Sequence, residues 1–111
     1  IVAGLFKASN PLGAVNQPLV VRFDWESGKQ LKSHFSDIKG IAWRAFLHPS
    51  DWLVAAAGGS GGGFLLFWKP DDEKPSVSFK LPNIARGMDI SPDLRTIATA
   101  HHDRKLRITK V

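Results

Sequence analysis

Apolar residues along this chain come in short runs, and each run is closed by a turn. In the middle of the sequence Ile41–Leu47 is apolar and ends at His48-Pro49-Ser50-Asp51. Leu53–Ala57 follows and ends in the glycine-rich segment Gly58–Gly63. Phe64–Trp68 is closed by Lys69-Pro70-Asp71-Asp72, and in Val77–Leu81 the apolar Val77 and Phe79 alternate with Ser76, Ser78 and Lys80. Runs of this length between Gly, Pro, Asn, Asp and Ser predict a four-stranded antiparallel meander. Phe64–Trp68 has no polar position, so a strand there needs cover on both faces. Ala55, Ala56 and Ala57 are small enough to let sheets approach closely.

The flanks carry the same rhythm. Ile1–Phe6 and Leu19–Asp24 are apolar runs separated by turn-rich residues, including Ala8–Gln17. Trp25–Lys29 predicts a hairpin in which Gly28 takes positive φ. Gln30–Phe35 alternates, with Leu31, Ser33 and Phe35 on one side and Gln30, Lys32 and His34 on the other. After Leu81 the pattern restarts: Ile84–Ile90, a turn at Ser91-Pro92-Asp93, Thr96–Ala100, a turn at His101–Arg104, and Lys105–Thr109. Strand content is therefore three, four and three. No ten-residue stretch combines a 3.6-residue period with good helix formers.

The groups repeat. Phe23 lies 45 residues before Trp68, Trp68 lies 41 before Thr109, and Pro49 lies 43 before Pro92. A period in the low forties with four strands per unit is the spacing of a β-propeller blade. Met88–Asp93, Thr96–Ala100, Asp103 and Leu106–Ile108 resemble the WD-repeat β-propellers in their succession of first strand, Ser-Pro-Asp turn, small-residue second strand, Asp turn and third strand. Phe23-Asp24-Trp25 with the hairpin after it is similar to the Trp-Asp ending of that repeat.

The resemblance implies an all-β fold of about two and a half four-stranded antiparallel blades within one propeller domain. Residues 1–35 would be strands b-c-d, 36–82 a complete a-b-c-d blade, and 83–111 strands a-b-c. Such rings have about 4–8 blades, so about seven are expected here, completed by a longer chain or by further copies. This material alone is then not expected to be a soluble monomer. Phe23, Asp24, Trp68, Thr99 and Asp103 take the positions of the family's structural residues. Phe23 and Thr109 stand where tryptophan is usual, and Lys69 where aspartate is. The resemblance also implies a scaffold for protein–protein contacts, with partners on the face that bears the b–c and d–a turns. Asn83, His101, His102 and Arg104 are the partner-binding candidates there.

Composition adds constraints. The chain has 111 residues, no cysteine and a net charge of +5. A disulfide framework and a cysteine-ligated zinc site are thereby excluded. No signal-peptide pattern and no apolar run of 18 residues is present, which reads as soluble and favours the cytoplasm. Residues 76–111 hold seven basic and three acidic side chains, so nucleic-acid binding by this basic third is one alternative function. The other is a propeller enzyme or ligand-binding protein with its site elsewhere.

Catalytic and metal candidates are weak. Gly58–Gly63 is followed by a strand, whereas a phosphate loop needs a helix N-terminus, so it reads as a hairpin turn. His101 and His102 are adjacent on a strand end and point to opposite faces, so they are not a ready ligand pair. Ser50 and Ser91 lack a nucleophile-elbow context. No cofactor, metal or catalytic residue is expected, and the chain reads as a non-enzyme. Trp43 and Trp68 are expected in packing, and Trp25 and Trp52 near the surface.

Overall fold

A computed structural model describes residues 2–4, 18–38, 40–59 and 62–111. They form ten strands and, among the described residues, no helix. The strands are β1 (Val2–Gly4), β2 (Val20–Phe23), β3 (Gln30–His34), β4 (Ile41–Leu47), β5 (Leu53–Gly59), β6 (Gly62–Trp68), β7 (Val77–Leu81), β8 (Ala85–Ile90), β9 (Thr96–His101) and β10 (Leu106–Lys110). They group into antiparallel sheets β1-β2-β3, β4-β5-β6-β7 and β8-β9-β10, in chain order. The fold is all-β, and the three-four-three grouping read from the apolar runs is that of the sheets. The Ala8–Gln17 turn lies outside the described residues.

Two cores hold the sheets together, one on each side of the middle sheet. Leu19 and Val20 of the first sheet pack with Leu53, Ala55, Ala57, Leu66 and Trp68. Ala85 and Ile97 of the third pack with Val54, Ala56, Leu65, Phe67 and Leu81. Successive residues of a strand point to opposite faces, so β5 and β6 feed both cores alternately. All of Leu53–Ala57 and Leu65–Trp68 are buried. The apolar third strand thus has the two-sided cover its composition demands. β4 comes close to β1 on one side and β8 on the other.

The turns repeat in three dimensions as well as in sequence. Asp51, Leu94 and Arg104 all have positive φ, at 69°, 62° and 66°. Each donates its backbone N–H to the carbonyl three residues earlier: His48, Ser91 and His101 respectively. A tight turn closed by a left-handed residue is a standard hairpin connection. Asp51 and Leu94 are 43 residues apart, the same interval as Pro49 and Pro92. The Trp25–Lys29 hairpin also forms, with Gly28 at φ 71° and its N–H on the Asp24 carbonyl.

Gly58–Gly63 is a hairpin, as read, and its arms are strand: Gly58 pairs with Gly63 and Gly59 with Gly62. Glycine is needed there because the backbones touch. A Cβ on Gly63 would lie 2.2 Å from the Asn83 carbonyl oxygen. In β3 the polar side carries the buried residue: His34 is fully buried, whereas Leu31 is 55% exposed. Trp68 explains this, since its ring centroid lies 5.7 Å from that of His34. In β10 the apolar side chains point away from the second core, with Leu106 70% and Ile108 60% exposed, while Arg107 and Thr109 are half-buried.

Candidate interaction surface

The residues expected to face a partner are brought together at one end of the third sheet, but they do not all face outward. His102 and Arg104 are exposed, Asn83 is half-buried and His101 is buried. The His101 ring works inside the molecule. Its Nδ1 lies 2.8 Å from the Asn83 carbonyl oxygen. A carbonyl only accepts, so Nδ1 carries the proton and donates. Nε2 is then an acceptor in the neutral ring, and the Thr99 hydroxyl donates to it across 2.7 Å. His101 is thus a link between β9 and the Leu81–Ile84 connection, and its ring offers a partner little surface.

The structural residues divide similarly. Thr99 is fully buried on β9. Asp103 is bound instead to Arg107, with paired contacts of 3.1 and 2.7 Å, and accepts from the Lys105 N–H. The Arg107 guanidinium holds the Asp103 carboxyl down at about 2. Thr99 and Asp103 therefore belong to separate contacts. The Trp68 indole N–H donates to the Phe35 carbonyl, 3.0 Å away, and joins the middle sheet to the first. Asp24 organises its hairpin by accepting the Glu26 N–H on its side chain. Alternation from Val20 puts Phe23 on the face of the first sheet turned away from the second.

A different surface collects more apolar area. Between the middle and third sheets lies a groove of about 390 Å³. Its walls include Trp52, Phe67, Val77, Phe79, Ile97 and Val111. Val77 and Phe79 belong to β7 and pair with Phe67 and Leu65, which belong to the second core. They therefore face the third sheet, and Phe79 stands edge-on to Phe67. Val77 is still 39% and Phe79 47% exposed. The middle sheet has four described strands and the third has three, and the third meets the middle one through β8, which lies against β4 and β5 at the far side of the sheet from β7. The groove opens near the β4–β5 turn and the start of β9. The His101 cluster is at the other end of β9, about 17 Å away at 3.3–3.4 Å per residue.

His48 and Ser50 stand at the mouth of this groove and share a hydrogen bond. The Ser50 N–H also donates to His48 Nδ1, which makes that nitrogen an acceptor and leaves the hydroxyl to donate to it. This pairing two residues apart is a turn lock. Among the described residues no group of three or more His, Cys, Asp or Glu is placed to hold a metal ion, and no helix is long and apolar enough to cross a membrane.

The basic side chains are spread out. Arg86 lies over the Trp43 ring at 4.7 Å, Lys69 near Trp52 at 6.0 Å, and Arg107 pairs with Asp103. Sequence reading did not find the groove, because its walls come from six strands and two turns. The alternation of Val77 and Phe79 was the available signal. Comparison with protein-family models, with curated proteins and with solved structures returned no match.

Proposed function

We propose that this chain forms two and a half blades of a WD-repeat β-propeller and serves as a non-catalytic scaffold for protein–protein contacts. The observation that carries the reading is the middle sheet, whose alternate residues enter two different cores. A sheet sandwiched between two like sheets is a repeating unit, and further units extend the array in both directions. The shared turn geometry at an interval of 43 residues and the position of β4 between β1 and β8 agree with radial stacking. The outer face of the third sheet supports continuation too. It presents Gly87, Ala98 and Ala100 with the exposed apolar Leu106 and Ile108, flanked by Asp89 and Lys110. The rest of the ring, about seven blades in all, comes from a longer chain or from other copies.

The test is electron microscopy of the protein in its full-length, assembled form. A ring of radial sheets around a central channel is expected. A closed barrel or an isolated stack without a channel refutes the reading.

A further inference from the structure

We propose that His34 is a proton-operated latch between the first and middle sheets, and that a second proton on its ring releases the outer part of the seam they share. Both sides of that seam lie within the described residues, so the proposal stands apart from the propeller reading and from any number of blades.

The seam is a set of hydrogen bonds between the end of β3 and the β6–β7 turn. The Phe35 N–H donates to the Glu73 carbonyl at 2.6 Å, and the Trp68 indole N–H to the Phe35 carbonyl at 3.0 Å. The His34 ring joins them, with Nδ1 2.9 Å from the Asp72 carbonyl oxygen and the Trp68 ring beside it. The turn is also held from within. The Asp72 N–H donates to the Lys69 carbonyl, and the Ser76 hydroxyl to the Asp72 carboxylate. It can therefore part from β3 as a unit.

A carbonyl only accepts, so Nδ1 carries the proton of the neutral ring. Nε2 is then a bare acceptor, buried and without a hydrogen-bond partner. A proton added there makes a cation whose new N–H meets no acceptor, in a fully buried site. That is far costlier than an unpaired lone pair. The charged groups acting on the ring are Arg22 on β2, Lys32 on β3 and Asp72 in the turn. The two cations oppose a further positive charge. Asp72 favours it, but its carboxylate already accepts from Ser76. Burial above all keeps the imidazole below its ordinary pKa. The cost is relieved when the ring leaves the seam for water, and the contacts on Asp72, Glu73 and Trp68 open with it.

Release stops short of unfolding. Leu19, Val20 and Ile38 remain packed in the first core with Leu53 and Leu66. The segments that lead away from the latch wall a cleft of about 460 Å³, with Ser36, Asp37 and Ile38 from one and Lys74, Pro75 and Ser78 from the other. This cleft widens as the latch opens. His101, the other buried histidine, shows the contrast. Its Nε2 faces the Thr99 hydroxyl, which also lies 3.5 Å from the Arg107 carbonyl. When that nitrogen gains a proton, the hydroxyl turns to the carbonyl and accepts from the ring, so every donor keeps an acceptor. His34 has no such place for a second proton.

The test is hydrogen exchange by NMR on the full chain between about pH 8 and about pH 5, corrected for the intrinsic rate. Protection of the Phe35 amide and the Trp68 indole N–H should be steady above about pH 7. It should fall about tenfold by about pH 5, because the released ring titrates near 6.5. Low urea should barely change this exchange, whereas the Leu66 amide, which needs larger unfolding, should respond steeply. His34→Phe keeps a ring without a titrating nitrogen and should hold its protection within about twofold over the same range. His101→Gln leaves His34 in place and should retain the tenfold loss of about pH 5. Nitrogen NMR of the His34 ring should show a proton on Nδ1 alone at about pH 7.5.

Protection that stays within about twofold in the parent overturns the proposal. So does a Phe35 amide that shares the protection and urea slope of Leu66, because the proton then acts on the whole fold and no latch opens. A response that survives in His34→Phe, or vanishes in His101→Gln, puts the titrating group elsewhere, with the same consequence. A proton on Nε2 at about pH 7.5 removes the geometry on which the latch rests. The parent's exchange and ring spectrum decide the matter by themselves should His34→Phe fail to fold.

Discussion

Leu65 and Leu66 are neighbours on β6, yet they enter different cores, and both are fully buried. In a sheet with one covered face, one of the two would be solvated and replaceable. Here Leu65→Ala and Leu66→Ala should both be costly. Each removes three carbons from a buried site, which at about 0.8 kcal/mol per carbon is a transfer loss of about 2.4 kcal/mol. The unfilled cavity raises this to about 3–4 kcal/mol, within the range of buried Leu→Ala changes. Total stability for a chain of this size is on the order of 5–15 kcal/mol, so each loss is a large and measurable fraction. The two side chains share no core, so the double variant should come within about 0.5 kcal/mol of the sum. Urea denaturation followed by tryptophan fluorescence measures all three, with the 70%-exposed Leu106→Ala as a near-neutral control. A cost below about 0.5 kcal/mol at either Leu65 or Leu66, the level of an exposed position, would refute the two-core arrangement.

Gly63→Ala should destabilise by about 1–3 kcal/mol, the usual cost of overpacking, because its Cβ would press on the Asn83 carbonyl, which is backbone and cannot swing aside; thermal unfolding reads this, and an unchanged midpoint removes the close contact. His34 gives a pH dependence. Burial first, then the positive charges of Arg22 and Lys32, hold its imidazole below the ordinary value against the raising effect of the Asp72 carbonyl. The unfolded chain thus binds the proton more readily, and stability should be complete above the unfolded value of about 6.5 and decline as the pH falls below it. Denaturation midpoints from pH 7.5 to 5 check this, and His34→Leu should lose that part of the slope.

Strand existence was legible because each run is short and ends in Pro, Gly, Asp or Ser. The two-sided burial of β6 was legible from its lack of any polar residue. Which face of a mixed strand lies inward was not. In β3 the stacking of Trp68 on His34 outweighs the apolar character of Leu31, and that partner is 34 residues away in the chain. In β10 a helpful-looking alternation places Leu106 and Ile108 outside, because orientation follows from β9, where Ile97 enters the core. His101 read as surface because it follows a strand. The structure turns it inward to meet Thr99 and Asn83, whose positions local sequence does not encode.

The alternating destinations of β5 bear on how this sheet finds its alignment. In a strand with one wet face, slipping by one residue drives apolar groups into water, and solvation itself enforces the pairing. Leu53-Val54-Ala55-Ala56-Ala57 would incur little such penalty, since either placement keeps every side chain dry. Alignment must come from side-chain volume and from the left-handed Asp51 at the strand's entrance. Lesions in that small corner should therefore yield shifted, misassembled molecules more readily than a merely weakened native one.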